Sequence, residues 1–408
     1  MTPPLRSLLA ATLCLVAGAT AAQAPRNDAG CTTVDSRAAN AASQRPAFAG
    51  QTRACAATPS AAFNVTVLAK GLEHPWAVEP LPGGDLLVTE KPGRMRIVSA
   101  SGQVGPPIDG LPAVDYRGQG GLLDVALGPR FASDRTIFWS YTEPRQGGNG
   151  TSVARGVLAA DGRSLEQVRV IMRALPTHDG GHHFGSRLAF DRDGLLYVTL
   201  GDRSDRQIRP QAQQLSSHMG KVLRIRADGS VPPDNPFTGQ AGARPEIWSL
   251  GHRNVQAAAF DAQGRLWLGE MGAQGGDELN RVEKGLNYGW PAIAYGQEYS
   301  GQPIGPGATA QAGLEQPVYY WDPVIAPSGA EWYSGDAFPA WRGHLFMGGL
   351  RARALVRLVV EGNRVVAEER LLGDRGQRIR DVRQGPDGAL YLVTDERNGE
   401  LLKLTPRT

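Results

Sequence analysis

The chain has 408 residues, 41% hydrophobic, 20% charged and 7% aromatic, with 52 Gly and 29 Pro. That is enough apolar material for a large core, and too little Gly and Pro for a disordered chain. The formal charge of +3 comes from 43 basic and 40 acidic residues spread along the sequence, so no basic stripe points to nucleic acid and no polybasic block to an anionic membrane.

Residues 1–24 read as an export signal, with Arg6 as the positive start, an apolar run from Leu8 to Ala17 and a small-residue cleavage site at Ala22-Gln23-Ala24. An apolar run of roughly 10 residues is too short for a bilayer, which takes about 20. The expectation is an exported chain, periplasmic or secreted, with no stable membrane insertion. Residues 25–62 read as an N-terminal extension rich in Ala, Ser and Thr. Loss of the leader removes Cys14 and leaves Cys31 and Cys55, which in an oxidising compartment most simply form one disulfide, stabilising by about 3 kcal/mol through loop entropy. Free thiols are the alternative, and metal ligation lacks the CxxC spacing.

From residue 63 to 408 the sequence is short apolar strands separated by Gly, Pro and Asp turns, with almost no helical period. One strand type recurs six times, at Asp85–Glu90, Thr136–Tyr141, Leu195–Leu200, Arg265–Glu270, His344–Gly349 and Ala389–Thr394. The copies start 51, 59, 70, 79 and 45 residues apart, the span of a four-stranded blade with variable loops. A second strand follows, often carrying a basic residue, as in Gly93–Val98, Lys221–Ile225, Ala354–Leu358 and Leu401–Leu404. Six such units predict an all-β, six-bladed β-propeller, because radial repetition protects strand edges. Phe63–Leu68 is the candidate to complete the last blade. A pair of sandwiches or a seven-bladed ring are the alternatives.

Polar residues of unusual kind fall in the loops. Three histidines stand within His178-Asp-Gly-Gly-His-His183, with Gly201-Asp202 one hairpin later, where Asp202 could orient an imidazole. A transition-metal site is the competing reading of the histidines, and a turn-capping role that of Asp202. Arg253 and Asn254 stand together in Ser249-Leu-Gly-His-Arg-Asn254, just before a strand. Arg378 and Arg380 lie two apart on an extended segment and suit a ligand with several carboxylates, unless they form a solvated basic strand. Gln119, Gln207 and Arg351 are weaker polar loop positions. No GxxxxGK[ST], GxSxG, HExxH or strand-to-helix GxGxxG is present.

The set Arg117-Gly-Gln-Gly-Gly-Leu122, His182-His183 with Gly201-Asp202, Gly251-His-Arg-Asn254, Gly285-Leu-Asn-Tyr-Gly-Trp-Pro291, Ala326-Pro-Ser328 and Arg378-Ile-Arg-Asp381 resembles the soluble aldose (glucose-type) sugar dehydrogenases. Those are exported six-bladed propellers that use pyrroloquinoline quinone and calcium. The resemblance implies that His183 is the general base, with Asp202 as its partner, and that Arg253 and Asn254 bind the quinone oxygens. It implies that Gln119, Gln207, Arg378 and Arg380 line the cofactor or sugar pocket, and that Arg351 stands where the family often has a lysine. The carbonyls that hold the cofactor calcium would be those of Gly272 and Ala273, where the family has Gly-Pro. A second calcium would take Glu278 and the backbone of Tyr288, with Glu298 as a further ligand. The implied reaction oxidises the C1 hydroxyl of an aldose to a lactone, with hydride passing to the quinone and electrons to an external acceptor. A calcium-dependent propeller lactonase is the alternative enzyme, and a carbohydrate- or protein-binding propeller the alternative without catalysis.

Overall fold

The computed structural model describes residues 30–407; the expected leader, 1–24, lies outside the described residues. Six antiparallel sheets follow one another around a ring. The first four blades are Pro75–Pro80, Leu86–Glu90, Arg94–Val98, Val104–Pro107; then Leu122–Leu127, Thr136–Arg145, Gly148–Leu158, Leu165–Arg173; then Leu188–Phe190, Leu196–Thr199, Lys221–Ile225, Ile247–Leu250; then Val255–Phe260, Leu266–Glu270, Asp277–Val282, Tyr319–Trp321. The fifth is Pro327–Trp332, Leu345–Gly349, Ala354–Glu361 and Arg364–Leu371. The sixth takes Ile379–Gln384, Leu390–Thr394 and Gly399–Pro406 from the C-terminus and its outer strand, Phe63–Leu72, from the N-terminal side, so the chain closes its own ring. The architecture is the expected six-bladed propeller, and helix among the described residues is confined to the turn Phe131–Asp134 and three 3-10 segments.

Each recurring strand is the second of its blade, which explains its composition. A strand in mid-blade has a neighbouring blade on both faces, so Leu86–Glu90, Leu266–Glu270, Leu345–Gly349 and Leu390–Thr394 are buried throughout. The core is therefore distributed between blades. Trp76 and Leu87 meet Leu123 and Trp139 between blades one and two, and Phe346 and Leu355 meet Leu390 and Leu402 between blades five and six.

Residues 30–56 are a strap closed by the Cys31–Cys55 disulfide, with Cα atoms 5.6 Å apart. Cys55–Ala56 runs parallel to Arg364–Leu371 and adds a fifth strand to the fifth blade. The extension is thus part of the sheet system.

The axis of the ring is polar. Arg187 Nη1 lies 2.7 Å from Asp124 Oδ1 and 3.1 Å from Asp381 Oδ1, and Arg187 Nε donates to the Gln256 carbonyl at 3.1 Å. Asp381 accepts from the Val78 N–H at 3.0 Å, Asp124 from the Leu188 N–H at 2.7 Å, and Arg383 donates to the Ala330 carbonyl at 3.1 Å. These residues come from all six blades, and Asp124, Arg187 and Asp381 are fully buried. Removing one partner of a buried ion pair strands the others, so Arg187→Leu should cost about 3–5 kcal/mol. Urea unfolding checks this; a loss below about 1 kcal/mol would contradict the role given to Arg187.

Candidate active site

Antiparallel order brings the start of each inner strand to the same end of its blade as the turn between the second and third strands. At that end a cleft of about 630 Å³ is lined by Gln119, His183, Arg253, Ala326 and Arg378, each just before an inner strand, and by Met271–Gln274, Asp277 and Arg351. A hollow of about 730 Å³ at the opposite end of the first two blades gathers turn residues such as Asp85, Arg135 and Asp161, without a base or an unpaired buried group.

The cleft floor is built around His183. Its φ of 49° puts a non-glycine residue in the left-handed region, the kind of local cost of about 1–3 kcal/mol that folds retain at functional positions. Gln119 Oε1 accepts its N–H at 2.9 Å. A Cβ on Gly201 would come 2.2 Å from the His183 carbonyl oxygen, so only glycine lets the two loops approach. Nδ1 lies 2.7 Å from Asp202 Oδ1. Asp202, fully buried, also accepts from the Ser204 N–H at 2.8 Å and from Trp290 Nε1 at 2.7 Å. Burial alone would raise the Asp202 carboxyl, but His183 and Arg253 hold it below its ordinary value. It is therefore ionised, and the neutral imidazole carries its proton on Nδ1. Nε2 makes no hydrogen bond among the described residues and is left as a base toward the cleft. Burial and the Arg253 guanidinium hold the imidazole below its ordinary 6.5, against the pull of Asp202.

Arg253 is fixed from below. Its N–H bonds Glu270 at 2.7 Å, and Nη1 donates to the carbonyls of Met271 and Gly272 at 2.7 and 2.6 Å. Its Nε is buried without a partner among the described residues. The other expected residues divide. Asn254 sits under the floor, its Oδ1 accepting the Gly185 N–H at 3.1 Å. Arg351 is exposed on the wall. Arg378 lines the cleft, while Arg380 is buried behind it, bonding Asp395 at 2.7 Å and Gln256 at 2.7 Å; both arginines share Asp395. Gln207 lies exposed on a loop outside the cleft lining. Of the three histidines only His183 lines the cleft; His182 is exposed and His178 pairs with Asp205 at 3.6 Å.

For hard cations the chain offers oxygen. Gly272 and Ala273 line the cleft, although the Gly272 carbonyl accepts from Arg253 here. Beneath them a void of about 10 Å³, room for one small ion or water, is lined by Glu270, Glu278 and Tyr288. Asn280 Nδ2 bonds Glu270 at 2.8 Å and Glu278 at 3.0 Å, and its Oδ1 is buried without a partner among the described residues. Burial and the neighbouring Glu270 push Glu278 well above the ordinary carboxylate range, the response of an acid pair lacking a counter-charge. Glu298 is elsewhere: Arg209 and Arg206 hold its carboxylate at 2.5 and 3.4 Å. Among the described residues no group of three or more His, Cys, Asp or Glu is arranged for a metal, so a cation would draw on backbone carbonyls as well.

Glu270, Asp277 and Asp395 stand in none of the loop motifs above, and Trp290 stands in the Gly285–Pro291 motif without an assigned role. Asp277 accepts the N–H groups of Gly272, Ile325 and Ala326 at 2.7, 2.7 and 2.6 Å and so joins two cleft walls; burial raises it to about 7. The only signal for Glu270 was its place at the end of a recurring strand.

Residues 72–403 match the family model of glucose/sorbosone dehydrogenases. The chain belongs to that family. It is 46% identical over 352 residues to the aldose sugar dehydrogenase YliI of Escherichia coli, covering 85% of this chain and 94% of that protein. The crystal structure of the soluble aldose sugar dehydrogenase from Escherichia coli in the apo-form superposes with a TM-score of 0.81 at 45% identity, covering 85% of this chain and all of that one. The PQQ-bound form of aldose sugar dehydrogenase from Streptomyces coelicolor superposes at 0.69 with 31% identity, covering 85% of this chain and all of that one. Relatives so named support an oxidoreductase of the sugar dehydrogenase type.

In an NMR titration of the chain, His183 should titrate below 6.5. Trp290→Phe should raise that midpoint, because Asp202 then shares its charge with one donor fewer and stabilises the imidazolium more. An unmoved midpoint would show that the indole does not tune the pair.

Proposed function

We propose that the protein oxidises the C1 hydroxyl of aldose sugars to the lactone with pyrroloquinoline quinone and Ca²⁺, delivering the electrons to an external acceptor in the periplasm or outside the cell. The observation that carries this reading is a cleft walled by Arg253, Arg351 and Arg378, with the neutral imidazole of His183 at its floor. Arg253 Nε, without a partner among the described residues, and the exposed Arg351 suit a planar acid with several carboxylates. The PQQ-bound Streptomyces relative supports the same cofactor class. A lactonase would leave these three arginines without a task.

When bound, the quinone supplies the acceptor for the hydride that leaves C1, which no side chain here can replace. His183 Nε2 takes the proton of the C1 hydroxyl as the carbonyl forms. Asp202, held by Trp290 and Ser204, keeps Nδ1 protonated and stabilises the imidazolium. Arg253, braced by Glu270, offers fixed positive charge for negative charge that develops in the reaction. Gly272, Ala273, Glu270, Glu278 and the Tyr288 backbone are the candidate calcium ligands, the last three about the small void. The expected leader and the disulfide support export.

The test is reconstitution. Purified protein given the quinone and Ca²⁺ should reduce a redox dye when an aldose is added. Inactivity across hexoses, pentoses and disaccharides would remove the dehydrogenase reading. Arg378→Ala should weaken the quinone half-saturation by about 1.5–3 kcal/mol, whereas Arg380→Ala should chiefly lower stability by removing a buried guanidinium that ties Asp395 to Gln256. Equal half-saturation shifts in both would contradict their different placement. Chelation of Ca²⁺ should lower the melting temperature, and an unchanged melting curve would argue against a cation between Glu270 and Glu278.

A further inference from the structure

The family match begins at residue 72, yet Arg37, Ala38 and Asn40 of the N-terminal strap line the cleft. Their place is fixed by the fold. Asp322 accepts the N–H of Asn40 at 2.8 Å and of Ala41 at 3.0 Å, and Arg53 donates to the carbonyls of Asp35, Arg37 and Asp322 at 2.9, 2.9 and 2.8 Å. The strap also holds the facing loop, because the Gln44 side-chain amide donates to the Gly296 carbonyl at 2.9 Å and accepts its N–H at 2.6 Å. Three residues further on stands Tyr299, which lines the same cleft and is 68% exposed, the most exposed large apolar side chain among the described residues.

We propose that the strap and Tyr299 form an outer sugar subsite, which takes the second ring of a reducing disaccharide while the first presents C1 to His183. The inference rests on the aldose-oxidising reading above. A pyranose has an apolar C–H face and a rim of hydroxyls, so it is recognised by an aromatic surface together with fixed planar polar groups. Tyr299 supplies the surface. The Asn40 side-chain amide makes no hydrogen bond among the described residues and offers both a donor and an acceptor. Arg37 is held against Asp35 through Nε at 2.9 Å and Nη2 at 2.6 Å, which presents the guanidinium edge in one orientation. Because the disulfide, Asp322 and Arg53 already order the strap, a sugar would not have to order it on binding.

The test compares kcat/KM for maltose, cellobiose and lactose with that for glucose, using the full chain loaded with quinone and Ca²⁺. In Tyr299→Ala the disaccharide-to-glucose ratio should fall about tenfold, and in Asn40→Ala several-fold. Gln44→Ala, a positioning change that releases the Tyr299 loop, should move the ratio the same way. A second readout does not depend on turnover: saturation-transfer NMR of methyl β-maltoside with the quinone-free chain should show transfer to both rings, and transfer to the non-reducing ring should vanish in Tyr299→Ala. Unchanged ratios in all three variants, or no transfer to the non-reducing ring, would overturn the subsite. If that transfer vanishes in Tyr299→Ala while the unmutated chain oxidises no aldose, the subsite stands and the oxidation reading fails.

Discussion

A ring of six sheets has no common hydrophobic centre, and the molecule depends on how its axis is filled. Arg187, Arg383, Asp124 and Asp381 occupy that axis, pair with one another, and reach Val78, Leu188, Gln256 and Ala330 by hydrogen bonds, one blade after another. Apolar packing lies between neighbouring blades and ties each sheet only to the next. The axial charges are the interactions that all blades share. Such a network is costly to desolvate, so its contribution lies in fixing blade positions relative to one another as much as in net stability.

The cleft inherits that rigidity. His183 lies four residues before Arg187, and Arg378 immediately precedes the strand that carries Arg380 and Asp381. The loops that carry the base and the arginines are therefore short extensions of the strands that the axis locks. Further braces cross between blades: Trp290 reaches Asp202, Asp277 reaches Ile325 and Ala326, and the N-terminal strap reaches Gly296 and Asp322. A site held by rigid elements keeps donors and charges in place without reorganisation, as the proposed proton abstraction by His183 next to a charged wall would require.

The sequence made the propeller legible because blade structure is local and repeated. The six copies that begin near Asp85, Thr136, Leu195, Arg265, His344 and Ala389 all occupy the second position of a blade, and Phe63–Leu72 closes the ring. His183, Asp202, Arg253, Gln119 and Arg378 stand in loop motifs and Arg351 is a single polar loop position, and the fold gathers them around one cleft or its floor. Gln207 and Glu298 were named too, but one faces solvent and the other pairs with Arg209. Spacing along a chain does not say which way a loop side chain turns. Trp290 and Asp202 are 88 residues apart, and Asn40 and Asp322 are 282 apart. No local pattern announces such pairings. The axial network was missed for the same reason, since an Arg or Asp within an apolar strand reads as an ordinary exception until the blades converge.

The central claim is that the arginine-walled cleft over His183 receives an acidic quinone. A crystal structure of the chain soaked with pyrroloquinoline quinone and Ca²⁺ tests it most directly. The account predicts a planar ring system in the cleft, within reach of His183 and Arg253, with carboxylates on Arg351 and Arg378. A ring system bound elsewhere, or an empty cleft at saturating quinone, would contradict it.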